Sequence, residues 1–247
     1  MNKQDIKFEE LLISILCDLL SNDNHVAVGA ASPIPGAAAL LAKEEQKIKG
    51  KKLRVTILHS LRFNNFTDGA RELFDCAAQG RIDTFFLGGV QIDEQANINL
   101  VGTGDYPNLN KRFSGSFGSA LMYYVVPKVI LFREEHSKRT LVKKVDFISA
   151  PGVSDKNLYR PGGPKFLLTN KALFSFNKRK KVFCLEKTAP GINQNDIEKI
   201  TGFKYDLNNE IKNFIYPSRE RLDILRKVIA PMVSEFYPNF AKRIWFR

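Results

Sequence analysis

The feature that most narrows the fold is a repeated change of hydrophobic period along residues 5–89, where short β-branched runs alternate with segments of helical spacing. Asp5–Leu20 places Ile6, Leu11, Leu12, Ile15, Leu16, Leu19 and Leu20 on one helical face. His25–Ala31 (HVAVGAA) reads as a buried strand, Ser32-Pro33-Ile34-Pro35 as a break, and Gly36–Lys43 as an alanine–leucine helix. Leu53–Leu58 is strand-like and ends at His59-Ser60. Gly69–Gln79 follows as a helix with Asp68 as its N-cap and Gly80 as its terminator. Ile82–Leu87 is a strand running into Gly88-Gly89. Such alternation implies an open, mostly parallel α/β sheet with flanking helices.

Further strands are expected at Lys128–Phe132 and Val142–Ser149. From Lys165 to Glu186 the character changes: FLLT, ALFSF and KVFCLE are separated by turn-like or charged residues, which predicts a small antiparallel β appendage. Helices are expected near Asn195–Thr201 and over Arg219–Phe236. With no internal repeat and no low-complexity linker, a single domain over residues 1–247 is the economical expectation.

Hydrophobic residues at 44% and charged residues at 26% supply a substantial core and argue against disorder. The net charge of +12 favours anionic partners. Basic clusters occur at Lys47–Arg54 and Lys178–Lys181, but the second lies between two apolar alternating runs, where a solvated hairpin turn is the simpler account. No zinc-finger, RNP or helix-turn-helix signature accompanies them, so a nucleic-acid partner is not expected. Cys17, Cys76 and Cys184 lie far apart without CxxC pairing, so neither a zinc site nor a disulfide framework is expected. The polar start MNKQDIKFEE is unlike a secretory signal, and no apolar run approaches a membrane span of about 20 residues. A cytoplasmic location without a membrane partner is the expectation.

In open α/β sheets ligands settle beyond the carboxyl ends of the strands. The segments to inspect are therefore 31–36, 59–69, 88–93 and 102–119. The densest is Gly88–Ala120, GGVQIDEQANINLVGTGDYPNLNKRFSGSFGSA, rich in glycine and in small amide or hydroxyl side chains. Glycine lets a ligand approach the backbone and leaves N–H groups free for a phosphate or an oxyanion. Gly115-Ser116-Phe117-Gly118-Ser119 precedes an apolar helical run, so its amides are candidates for such contacts. Arg133–Arg139 reads as an exposed charged turn, and Tyr123-Tyr124 as packing.

The order of these pieces carries more weight than any one of them. GG-x-QID, N-x-N, GDYP and RFSGSFGSA, followed by KKVDFISAPG (143–152), GGPKFLLT (162–169) and Thr201-Gly202-Phe203, resemble the β subunit of glutaconate-type CoA-transferases. VAVGAASPIPGAAALLAK near the start resembles that family's first strand, turn and helix. The resemblance implies an open α/β fold of the CoA-transferase superfamily, no tightly bound cofactor, and a coenzyme A thioester as substrate. It also implies an α-type partner subunit, in an αβ or α2β2 assembly, with the active site at the subunit interface.

In those transferases a β-subunit glutamate just after the second main strand attacks the acyl-CoA carbonyl. Here that turn reads His59-Ser60-Leu61, and the carboxylate is missing. A carboxylate can hold CoA as a thioester by the anhydride route, and a histidine cannot substitute in that exchange. His59 is the candidate general base, and Ser60 a hydrogen-bond donor or nucleophile. Gln91, Asn97, Asn99, Asp105 and Gly115, Ser116, Phe117, Gly118 and Ser119 are the residues expected to shape the thioester pocket. CoA transfer between carboxylic acids is the expected reaction. Hydrolysis or ring-opening C–C cleavage of an acyl-CoA, or a non-catalytic role completing the partner's site, are the alternatives.

Overall fold

The computed structural model describes residues 5–246. Its contacts divide into two compact units. The first holds the residues up to Glu72, Arg81–Phe85 and those from Phe214 on; the second holds Leu73–Gly80 and Phe86–Asn213.

The first unit follows the expected alternation closely. α1 (Phe8–Leu19) buries Leu11, Leu12, Ile15 and Leu16. β1 (His25–Val28) pairs in parallel with β2 (Arg54–Ile57) and β3 (Thr84–Leu87), and β1 is buried along its whole length. Between β1 and β2 runs α2, which starts at Pro33 and ends at Ile48. The expected break at 32–35 is therefore corrected: both prolines sit in the first helical turn. Amide donors there have no intrahelical partner, so losing them costs nothing and the fixed φ suits the helix. α3 (Gly69–Ala78), which passes into the second unit at Leu73, stands where expected, and Gly80 follows with φ +70°.

The carboxyl-terminal segment contributes α6 (Arg219–Ile224), a π-helical turn (Leu225–Ile229), α7 (Ala230–Phe236) and α8 (Pro238–Ile244). Ser218 caps α6 by accepting from Arg221 N. The π turn ends two residues before Pro231 and contains Lys227, on whose carbonyl the proline ring would otherwise press. Two arginines clasp this segment to the amino-terminal helices. Arg221 binds both oxygens of Glu45, at 2.6 and 2.9 Å, and reaches Asp18 at 2.7 Å. Arg226 binds both oxygens of Glu10, each at 2.7 Å, and that carboxylate is fully buried. Burial and the neighbouring Glu45 push the Cys17 thiol well above its usual range.

In the second unit β4 (Gln91–Ile92) pairs antiparallel with β5 (Ile98–Asn99), and β6 (Gly102–Thr103) with β7 (Lys111–Arg112). A short helix, α4 (Ser119–Val125), leads into β8 (Lys128–Arg133). β9 (Pro164–Thr169) runs parallel to β8, and β10 (Ala172–Asn177) and β11 (Val182–Thr188) complete the expected antiparallel meander. Lys178–Lys181 forms the turn between β10 and β11, with Asn177 Oδ1 accepting from Arg179 N and Lys180 N. α5 (Gln194–Ile200) carries a reciprocal capping box between Asn193 and Asp196. β12 (Asp206–Asn213) then lies parallel to β11. The eight principal strands take the order β12-β11-β10-β9-β8-β3-β1-β2, so the sheet is mixed and mostly parallel.

Val142–Ser149 is not a strand. Only isolated bridges occur, Ile92 with Leu141 and Ile98 with Ala150. At its ends Val142 N and Ser149 N donate to the backbone carbonyls of Ile92 and Ile98, and in its middle side chains accept: Val145 N donates to Asp93 Oδ2 and Asp146 N to Gln91 Oε1. The motif glycine at its end, Gly152, lies so close to the 95–96 backbone that a Cβ would stand 2.1 Å from Gln95 O. Only glycine fits that approach.

The Arg133–Arg139 segment is only partly the exposed turn expected. Arg139 and Glu135 pair at its surface, but His136 is buried, its ring between Thr169 Oγ1 at 2.7 Å and Thr201 Oγ1 at 2.9 Å. Tyr123 is likewise buried and donates to Ala96 O at 2.8 Å.

Two stability measurements test these assignments. Burial first, and then the charge of Lys171, lower the His136 pKa to about 4. An unfolded histidine takes its proton near 6.5, so stability is lost as the pH falls from about 6.5 to about 4, by up to about 3 kcal/mol. Urea midpoints across that range should show the slope, and His136→Gln should flatten it. Separately, Arg226→Met removes the cation bound to the fully buried Glu10 and leaves it the Lys7 amide and the Trp245 indole as donors; a loss of about 3 kcal/mol in urea unfolding is expected. Adding Glu10→Gln to that variant should recover much of the loss.

Candidate functional site

The sequence-predicted site residues fall in both compact units. In the first unit, Ile57 ends β2 and the chain turns at once. Ser60 N donates to Ile57 O at 3.0 Å, and Phe63 N returns to Ser60 Oγ at 3.0 Å. Ser60 is 2% exposed, so its hydroxyl acts as the internal brace of the turn. Asn64 extends the brace by accepting from Phe66 N, whereas Asn65 is exposed. His59, at the tip, is exposed, and its ring stacks on Tyr237 with centroids 5.3 Å apart and planes 15° from parallel. The same bracing that buries Ser60 turns the His59 imidazole outward.

Beside this turn lies the amino terminus of α2, ordinarily an anion site in an α/β fold. Here its donors are nearly exhausted. Pro33 and Pro35 have no N–H, Gly36 N is bonded to Ser32 O, and Ser32 N donates to the Tyr237 hydroxyl at 2.9 Å. Among first-turn amides only that of Ile34 remains. An anionic group therefore gains little from this helix, and the first unit offers an imidazole in preference to an anion cradle.

The second unit contains the motif-rich segment that leaves β3 and returns through α4 to β8. Gln91, Asn97 and Asn99 are 7%, 7% and 0% exposed, and their side chains bond inward. Gln91 Oε1 accepts from Asn99 Nδ2 at 2.8 Å, and Asn99 Nδ2 also donates to Gly102 O at 2.7 Å. Asn99 Oδ1 accepts from Val101 N and Gly102 N. Asn97 Oδ1 accepts from Gly152 N at 2.9 Å, and its Nδ2 donates to Asp93. These amides thus hold loop backbone in place. Asp105 is exposed in the turn between β6 and β7.

Gly115–Ser119 differs from that lattice. Gly115 N is bonded to Leu100 O and Ser119 N to Ser116 O. The intervening amides of Ser116, Phe117 and Gly118 have no acceptor among the described residues. Ser119 is 8% exposed, and its hydroxyl oxygen is buried with no hydrogen-bond partner among the described residues. Unsatisfied buried hydroxyls are rare and costly in native folds. The backbone here is also held in unusual conformations: Gly115 has φ +98° and Phe117 has φ +44° while 85% exposed. Gly118 lies against Phe74, whose ring would stand 2.1 Å from an added Cβ. Free donors and an orphan hydroxyl are the kind of groups that an electronegative ligand atom would satisfy.

No group of three or more acidic, histidine or cysteine side chains among the described residues is placed to hold a metal ion. No helix among them is long and apolar enough to cross a membrane. Sequence reading did not single out Asp93 of the second unit, which lies inside the QID motif, or Tyr237 of the first, which lies far from every motif and carries no local signal.

Comparison with known proteins agrees with this architecture. The family described as coenzyme A transferase matches residues 12–199. The B-type subunit of glutaconate CoA-transferase from Acidaminococcus fermentans is 29% identical over 153 residues, covering 59% of this chain and 56% of that protein. The B-type subunit of 3-oxoadipate CoA-transferase from Pseudomonas knackmussii is 29% identical over 157 residues, covering 61% and 60%. The aligned part of the chain thus spans little more than half the length of these relatives. The crystal structure of glutaconate CoA-transferase from Acidaminococcus fermentans superposes with a TM-score of 0.79 at 21% identity, over 94% of this chain and 97% of that one, and shares the fold. With the family match extending over most of its length, the chain belongs to the coenzyme A transferase family.

Proposed function

We propose that this chain is the β-type subunit of a heteromeric enzyme acting on acyl-CoA thioesters, which transfers CoA between carboxylic acids. Family membership supports the substrate class, and the names of the two relatives support both the reaction and the existence of a second subunit. The observation that carries the reading is the loop 115–119, with three free amides and the orphan Ser119 hydroxyl. When a nucleophile adds to a thioester, negative charge develops on the carbonyl oxygen, and preorganised N–H donors stabilise it. Gln91, Asn97 and Asn99 support this loop's neighbours from within, and Asp105 is exposed in the turn between β6 and β7.

On this reading His59 is the group available for proton transfer, since its ring is exposed and its turn is rigid. Ser60 is a positioning group. The glutamate that the family resemblance leads one to expect after β2 is replaced by His59, so the attacking carboxylate comes from outside this turn: from the acceptor acid or from the α-type partner. Attack on the thioester carbonyl forms an anhydride and expels the CoA sulfur, which takes a proton from His59 as it departs and returns it to His59 before the next step. The thiolate then adds to the other anhydride carbonyl and releases the donor acid; a partner carboxylate loaded in this way passes CoA to the acceptor acid by the same two steps, regenerating the free carboxylate. Two of the three cysteines are buried thiols, which supports a reducing compartment such as the cytoplasm.

Two tests follow. Purified with its α-type partner, the enzyme should consume acyl-CoA only when an acceptor acid is present and should yield the acceptor's thioester; release of free CoA without acceptor would replace transfer by hydrolysis. Ser119→Ala should leave the unliganded chain as stable as before, or more stable by about 1 kcal/mol, because an unsatisfied hydroxyl is removed. The same variant should lower kcat/KM for acyl-CoA by about tenfold. A destabilised Ser119→Ala chain with unchanged kcat/KM would take the loop out of the site.

A further inference from the structure

We infer that Tyr237 is a positioning residue for the reaction, holding the His59 imidazole and the β1–α2 turn as one rigid piece. The inference rests on the reading of His59 as the group that moves a proton. Tyr237 ends α7 and precedes Pro238, which begins α8; its backbone, at φ −134° and ψ 63°, is driven out of the helical region by the proline that follows. The helix therefore stops where this side chain must project, and the stop is written into the chain chemistry.

What the side chain does there is unusual for a packing tyrosine. Its hydroxyl makes two backbone hydrogen bonds within one turn, accepting from Ser32 N at 2.9 Å and donating to Ala30 O. Its ring stacks on His59 at 5.3 Å. Ala30 and Ser32 follow β1, and His59 follows β2, so one residue ties together the carboxyl ends of two adjacent parallel strands. Desolvation by burial raises its pKa, with the bond from Ser32 opposing the shift, so the hydroxyl keeps the proton that it donates to Ala30.

The neighbours of Tyr237 close off other orientations. Phe236 packs edge-on against the Tyr237 ring at 5.0 Å and against Phe63 at 6.3 Å. Glu235 accepts from Arg62 N at 3.3 Å. Three successive residues of the carboxyl-terminal segment thus grip the turn 59–63, and Tyr237 alone also grips the turn 30–32. Simple packing would require the ring and leave the hydroxyl dispensable. Positioning requires both.

Two variants separate these roles. Tyr237→Phe keeps the ring and loses both backbone bonds; Tyr237→Leu loses the ring as well. On the chain without substrate, the His59 ring proton signals in a 1H–13C spectrum should stay near the wild-type positions in Tyr237→Phe, because a neighbouring ring still shields them, and should move in Tyr237→Leu. In the assembled enzyme, Tyr237→Phe should lower kcat about tenfold with KM within about twofold, and Tyr237→Leu should lower kcat about a hundredfold. Full turnover by Tyr237→Phe alongside a loss in His59→Ala would overturn the inference and leave the reading of the site intact. Full turnover by His59→Ala would overturn the reading itself, while unmoved His59 signals in Tyr237→Leu would refute the stacking geometry without any assay of activity.

Discussion

A buried carboxylate accepting four N–H groups is the contact on which the motif-rich unit depends. Asp93, 2% exposed, receives Gln95 N and Asn97 N on one oxygen, and Asn97 Nδ2 and Val145 N on the other. A buried charge is tolerable only when its lone pairs are filled, and charge-assisted bonds of this kind are stronger than neutral ones. Through Asn97 the arrangement extends to Gly152 N, and Gln91 repeats the scheme with Asp146 N. Side chains here supplement the few backbone bonds of a segment that bends repeatedly, and residues 142–149 do not form a strand of the sheet. The loop 115–119 can then leave three amides unbonded because its surroundings are already fixed.

The first unit relies on a different device. Two bidentate arginine–carboxylate pairs bring the carboxyl-terminal helices onto α1 and α2. Planar two-point contacts restrict rotation as well as separation, so the segment beyond Arg226 arrives in a defined orientation. That orientation carries Glu235, Phe236 and Tyr237 to the turn after β2. Stability and site geometry are linked here by a single stretch of chain, with the clasp at one end and the His59 contact at the other.

Much of this was legible in the residues. Apolar spacing located α1, β1, β2, α3, β3 and the β9–β11 meander, because each buries a face that the pattern must declare. The errors have identifiable causes. Pro33 and Pro35 look like a break until their place in the first helical turn is known. Val142–Ser149 has strand-like composition, but among Val142, Val145 and Phe147 only Val145 is buried, and its hydrogen bonds go to side chains. β12 reads DLNNEIKN and is exposed along nearly all its length. It is held by backbone pairing to β11, an interaction with no hydrophobic signature.

The sequence by itself determined the elements, the order of the family motifs, and the absence of a glutamate from the turn after β2, since residue identity and local period are properties of neighbours along the chain. Tertiary structure alone decided which polar residues bond inward and which stay free. Gln91, Asn97 and Asn99 looked like ligand contacts and prove to be internal braces, while Ser119 keeps an unbonded hydroxyl. It also decided that Tyr237 meets His59, a pairing across 178 positions of sequence. Hydrogen-bond satisfaction depends on which atoms arrive within about 3 Å of one another, and no pattern of spacing along a chain encodes that distance.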